Sequence, residues 1–218
     1  MSDISVQLVR DFFEVNAFHV MTYWQHDTTR ARGLEPGLQL FVENTAPLQE
    51  SARTGDFILR MGDVSSLPRA VVEVRAWHAD RFYASVIEAN PVLFEVAQEA
   101  SLERARQIFG CVDVPSILVI SELPASFEPR QRAIALLQQG GLSHVIEFAT
   151  ILQELVERIN AYVSYSPSHT LQTLRLLKRY GLIRRQQMEF AFPLEAPVSS
   201  SPPLVETAEE PDPPVGDD

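Results

Sequence analysis

Only one cysteine, Cys111, and only one lysine, Lys178, occur in this chain of 218 residues. A single thiol excludes an internal disulfide framework and fits a reducing compartment. No apolar run approaches the ~20 residues that a membrane span needs. The opening Met1-Ser2-Asp3-Ile4-Ser5 has no basic stretch leading into a long apolar run, so no signal peptide is expected. A cytoplasmic protein with no membrane contact is the resulting expectation. His19, His26, His144 and His169 show no metal-ligand spacing with Cys111. Walker, GxGxxG and GxSxG patterns are also missing, which removes the familiar signatures of phosphate-loop, dinucleotide and serine-hydrolase chemistry.

The formal net charge is −11, yet its distribution is uneven. Seven acids lie between Glu195 and Asp218 with no Lys or Arg among them, which leaves −4 on residues 1–194. The body is only mildly acidic, and its balance neither demands nor excludes a nucleic-acid partner. Residues 193–218 are rich in Pro, Ser, Glu and Asp and hold too little apolar surface to offset ordering entropy. They are predicted to form a disordered acidic tail, either a solubilising segment or one that contacts a basic surface.

Hydrophobic periodicity predicts an amphipathic helix over 4–18, with Leu8, Phe12 and Val15 on one stripe. Strands are predicted at Phe18–Tyr23, Gly37–Asn44 and Arg69–Trp77, with a short additional one at Phe57–Met61. The second half alternates: helix over 82–109 broken at Asn90-Pro91, strand Ser116–Ser121, helix Glu128–Gln139, strand His144–Phe148. Thr150 to Gln153 resembles a capping box opening the next helix. Ser166 and Pro167 read as the start of a last helix and Gly181 as its end. The order implies an α/β fold with a partly parallel sheet covered on both faces. Residues 1–165 form the main domain in this reading, 166–192 a helical extension packed on it, and 193–218 the tail.

The segment Val71-Val72-Glu73-Val74-Arg75-Ala76-Trp77 lies on the third strand of a helix-then-meander order. This resembles the PD-(D/E)xK nuclease superfamily, above all its restriction-endonuclease-like and Holliday-junction-resolvase-like branch, over roughly residues 4–160. The resemblance implies a restriction-endonuclease-like three-layer α/β/α fold with a mixed central sheet and extra C-terminal helices. Residues i and i+2 of a strand share a face, so Glu73 and Arg75 point into one site. The family pattern would have Lys at 75 and Asp on the preceding strand, where this chain has Gln39. Glu43 shares the face of Gln39 but stands four residues, ~13 Å, along the strand. Arg remains charged and clamps phosphate, whereas it cannot serve as a base.

Three functions follow from these residues. The first is a catalytically impaired nuclease-fold protein that binds nucleic acid or a protein. The second is an active Mg²⁺-dependent endonuclease or resolvase using Glu73, Arg75 and Gln39, with Glu73 and Glu43 as candidate metal ligands. The third is an interaction subunit that never meets nucleic acid. The bland reading of Glu73-Val74-Arg75 is a surface ion pair. Asp63 and Asp80 offer alternative carboxylates or plain solvated loop residues, and Asp11 and Glu14 offer a family-like acid or a polar helix face. Trp77 and His78 follow the motif where a substrate would sit, or simply cap the sheet. Arg175, Lys178, Arg179, Arg184 and Arg185 form a late basic cluster, a candidate phosphate-contacting surface or the solvated face of a helix. Resolvase-like relatives imply a homodimer by analogy alone.

Overall fold

Strand β3, Arg69–Arg75, reads RAVVEVR, and all of it beyond Arg69 is buried. Such a run, rich in Val and flanked by apolar strands, is stable only where both faces of a sheet are covered. That is where the computed structural model, which describes residues 3–22, 39–46 and 56–183, places it. Five strands lie in the order β1-β2-β3-β4-β5. They are β1 Phe18–Thr22, β2 Gln39–Asn44, β3, β4 Ser116–Ile120 and β5 His144–Glu147. The first two pairings are antiparallel and the last two parallel.

Alternation along β3 feeds two cores. Ala70, Val72 and Val74 face α1 (Asp3–Val15), α5 (Phe148–Arg158) and α6 (His169–Arg179), packing with Phe12, Phe13, Ile151 and Leu155. Val71 faces the opposite way, toward a layer made by α2 (Ala84–Ala89), a 3-10 helix at Pro91–Ala97, α3 (Glu99–Phe109) and α4 (Phe127–Gln139). The architecture is therefore α/β with a five-stranded mixed sheet and helices on both faces. The compact unit extends to Arg185, so α6 belongs to the body.

Helix α1 ends because Asn16 turns back on it. Its Nδ2 donates to the carbonyl of Phe12 at 2.9 Å, and Ala17 then adopts a left-handed φ of 64° that swings the chain into β1. The resulting corner is filled by Phe12, Phe13 and Phe18, whose successive ring pairs meet edge-on at 5.2 and 5.4 Å.

Several local expectations are corrected. Thr150 does not open α5: the helix begins at Phe148, directly after β5. Glu147 ends the strand with its carboxylate drawn sideways, accepting from the Leu123 amide at 2.8 Å and from Arg130. Ser168, not Ser166, caps α6, accepting from the Leu171 amide. Ile58 is not in a strand between β2 and β3; it forms a single parallel bridge to Val145 on β5. The predicted helix over 82–109 breaks twice, at Asn90 and again at Gln98, leaving the 3-10 turn between. Gly37, Leu38, Arg184, Arg185, His26 and the acidic tail lie outside the described residues.

The 3-10 turn and α4 pack so closely that a side chain is forbidden between them. A Cβ added to Gly140 would fall 2.0 Å from the Phe94 ring. Gly140 has an ordinary φ of −72°, so the constraint is space and not backbone conformation. Gly140→Ala is expected to lower stability by about 1–3 kcal/mol through overpacking, read as a lower urea midpoint. Phe94→Leu in the same chain is expected to recover part of the loss.

Candidate functional site

The register places Gln39 of β2 directly opposite Glu73 of β3, and Leu118 of β4 on its other side. Glu73 thus sits at the middle of the sheet, fully buried. Arg75, two residues on and on the same face, donates from Nε to Glu73 Oε1 at 2.6 Å, with Nη2 at 2.5 Å from the same oxygen. Its Nη2 also meets Glu95 Oε2 at 3.2 Å, from the 3-10 helix overhead. The arrangement is a guanidinium held between two carboxylates, one buried and one partly open to solvent.

Two oxygens in the cluster are left over. Glu73 Oε2 and Gln39 Oε1 are both buried with no hydrogen-bond partner. Both are acceptors when Glu73 is ionised, so neither satisfies the other. Burial pushes the Glu73 carboxyl above its ordinary 4.5; the charge and hydrogen bond of Arg75 pull it back, Glu95 raises it, and the Gln39 amide lowers it slightly. The Arg75 contact is short, yet desolvation is the larger effect and the net direction is upward.

The other candidates disperse. Glu43 pairs with Arg69 and His19, four residues along β2 from Gln39, and is not brought to Glu73. Asp63 accepts from the Arg60 amide in a surface turn. Asp11 is fully buried and accepts from Gln7, from Ser168 at 2.7 Å and from Thr170, so it is a joint between α1 and α6. Glu14 pairs with Arg10 on the surface of α1. His78 meets Ser5 at 3.0 Å and packs edge-on against Phe148.

Of the described members of the late basic cluster, Lys178 turns to internal carbonyls, while Arg179 stays exposed. Lys178 Nζ donates to the carbonyls of Val156, Glu157 and Ile159 at 2.6, 3.3 and 2.6 Å. An ammonium has three donors, and the end of a helix leaves carbonyls unsatisfied, so the only lysine caps α5. Arg179 lies over the Tyr162 ring at 5.4 Å, and Arg175 reaches the Val163 carbonyl at 3.5 Å. These three cations staple α6 to the segment that leads into it. Sequence reasoning found Glu73 and Arg75 through strand periodicity. It missed Glu95, because nothing local marks a residue 20 positions on as the roof of the same site.

Mg²⁺, which the nuclease resemblance implies, takes several oxygen ligands. Here one carboxylate and one amide face each other, and a guanidinium already occupies one carboxylate oxygen. Among the described residues, no three His, Cys, Asp or Glu side chains gather around a point. This donor set does not fit that ion. Comparisons with family models, curated proteins and solved structures return no match. None of the helices among the described residues is long and apolar enough to cross a membrane.

Two consequences are measurable. A carboxyl whose folded pKa is raised binds its proton more readily in the native state, so its stabilisation is full below 4.5 and declines as pH rises. Stability of the wild type relative to Glu73→Gln should therefore fall with rising pH above 4.5, by up to about 1.4 kcal/mol per unit. Parallel urea titrations between pH 4 and 7 check this, and a wild type that gains on the variant with rising pH contradicts it. Lys178→Met should cost about 1–2 kcal/mol by uncapping α5, read as a lower Tm.

Proposed function

We propose that this chain is a non-catalytic binding module on a restriction-endonuclease-like plan, and that its partner is a protein. The observation that carries the first half is the Glu73–Arg75–Glu95 network. The residue that the resemblance would give to catalysis is neutralised from within its own strand. A guanidinium at this position cannot accept a proton from water. The second half is supported by the disposition of charge. Of the cations a nucleic-acid backbone would use, Lys178 is spent on three carbonyls at the end of α5, Arg175 reaches the Val163 carbonyl, and exposed Arg179 lies over the Tyr162 ring. Meanwhile Phe127, Tyr162 and Tyr180 are exposed, at 76, 83 and 73%. Exposed aromatics of this kind are enriched at protein interfaces.

A second reading, metal-dependent phosphodiester cleavage through a rearranged site, is favoured by the two unpartnered oxygens on Glu73 and Gln39. One set of assays separates the two. Purified protein is incubated with branched, nicked and single-stranded DNA in Mg²⁺ or Mn²⁺, and no cleavage is expected. Calorimetry is expected to show Mg²⁺ binding by the Gln39→Asp, Arg75→Lys double variant at least about tenfold tighter than by wild type. Cleavage by the wild type that Glu73→Ala abolishes would establish the second reading instead.

A further inference from the structure

Just after the end of β3, Trp77 lines a shallow, open cleft of about 430 Å³ together with Asp80, Ser85 and Asn90. The cleft lies past the carboxyl end of β3, where the sheet turns parallel; open α/β sheets bind ligands outside these strand ends. Its walls are held firmly. The Trp77 ring stacks on Phe82 at 5.4 Å with 13° between planes. The turn from Trp77 to Asp80 is closed by its own amide bond and tied to the end of β4, where Ser121 Oγ donates to the Asp80 carbonyl at 2.6 Å.

The polar atoms offered to the cleft are chiefly acceptors. The Asp80 carboxylate forms no hydrogen bond or ion pair with any described residue and is exposed. Asn90 spends its Nδ2 on the Val86 carbonyl at 2.7 Å, which leaves Oδ1 as the free end of the amide. Ser85 adds a hydroxyl. No Lys or Arg lines the cleft. The two arginines nearest in sequence are engaged elsewhere, Arg81 with Glu122 at 2.8 Å and Arg75 with Glu73 and Glu95. Across α2 a second cleft shares Ser85 and sets Glu88 and Glu128 against a single Arg132. A phosphate or nucleotide would meet repulsion here. A planar cation with several N–H donors would meet an aromatic plate, a carboxylate and two further acceptors.

We propose that the Trp77–Asp80–Asn90 cleft is a guanidinium-binding pocket. Trp is the strongest cation–π partner and a guanidinium the cation most often stacked on it. Asp80 supplies a charge-assisted, bidentate contact to the fork, and Asn90 Oδ1 and Ser85 take remaining N–H groups. An ammonium, compact and more strongly hydrated, lacks the planar fit. The pocket stands whether or not Glu73 ever meets a metal. Its guanidinium comes either from an arginine of a protein partner or from a small free guanidine, and the two sources are separable.

The test uses the full chain carrying Trp24→Phe, so that emission reports Trp77, the other of the two tryptophans. Doubly blocked arginine should change that emission saturably, with affinity about tenfold above doubly blocked lysine. Asp80→Asn and Asn90→Ala should each weaken it, the first by about tenfold, while AMP has no effect. Agmatine and a blocked Gly-Arg-Gly peptide identify the source: a stronger peptide means a partner's side chain, a stronger agmatine a small ligand. Equal binding of the lysine compound, competition by AMP, or unchanged binding by Asp80→Asn would overturn the proposal. So would the lack of any saturable response at ligand concentrations on the order of 10 mM.

Discussion

A carboxylate at the centre of a sheet covered on both faces must be answered from inside the protein, because water is excluded from it. In this chain the answer is Arg75, on the same strand and face as Glu73. The pairing costs desolvation of two charges and is weak evidence for stability in itself. Its influence lies in what it demands of the surroundings. Glu95 reaches Arg75 from the 3-10 turn over β3, which is anchored by buried Leu93 and Val96, and the same turn sets Phe94 against Gly140 at the end of α4. The opposite layer has an apolar core of its own, with buried Asp11 joining α1 to α6 and buried Glu154 on α5.

Positive charge in the described body is spent largely on tying the molecule together. Lys178 closes the end of α5, Arg130 clamps Glu147 where β5 becomes α5, and Arg158 pairs with buried Glu154. Arg106 bridges Glu99 and Glu103 along α3. What remains outward along α2 and the start of α4 is weighted toward carboxylates and aromatics. A surface of that character suits protein side chains better than a phosphate backbone.

The strands were legible because short runs rich in β-branched and apolar residues, bounded by turn residues, leave little alternative, and β3 shows this best. The shared face of Glu73 and Arg75 followed from strand periodicity, as did the opposition of Gln39. Contacts made across long separations were not legible. Ile58 pairs with β5, 87 residues on, where no local signal points. Thr150 has the spacing of a cap, but the strand before it runs straight into the helix, so tertiary placement overrode a sound local pattern. The basic residues of α6 share a helical stripe as periodicity requires. That Lys178 would meet the carbonyls at the end of α5 could not be read locally, because only the folded chain brings them near.

The joint at Asp11 bears on how the protein is made. Its carboxylate is fully buried, and the hydroxyls that complete its shell belong to residues 157 and 159 positions later. A ribosome releases the first helix long before Ser168 and Thr170 emerge. Until then α1 has a charged group on its inner face with only Gln7 to meet it, so its final docking waits for nearly the whole body to be synthesised. The joint is thus a contact of very long sequence separation, of the kind that closes late in folding.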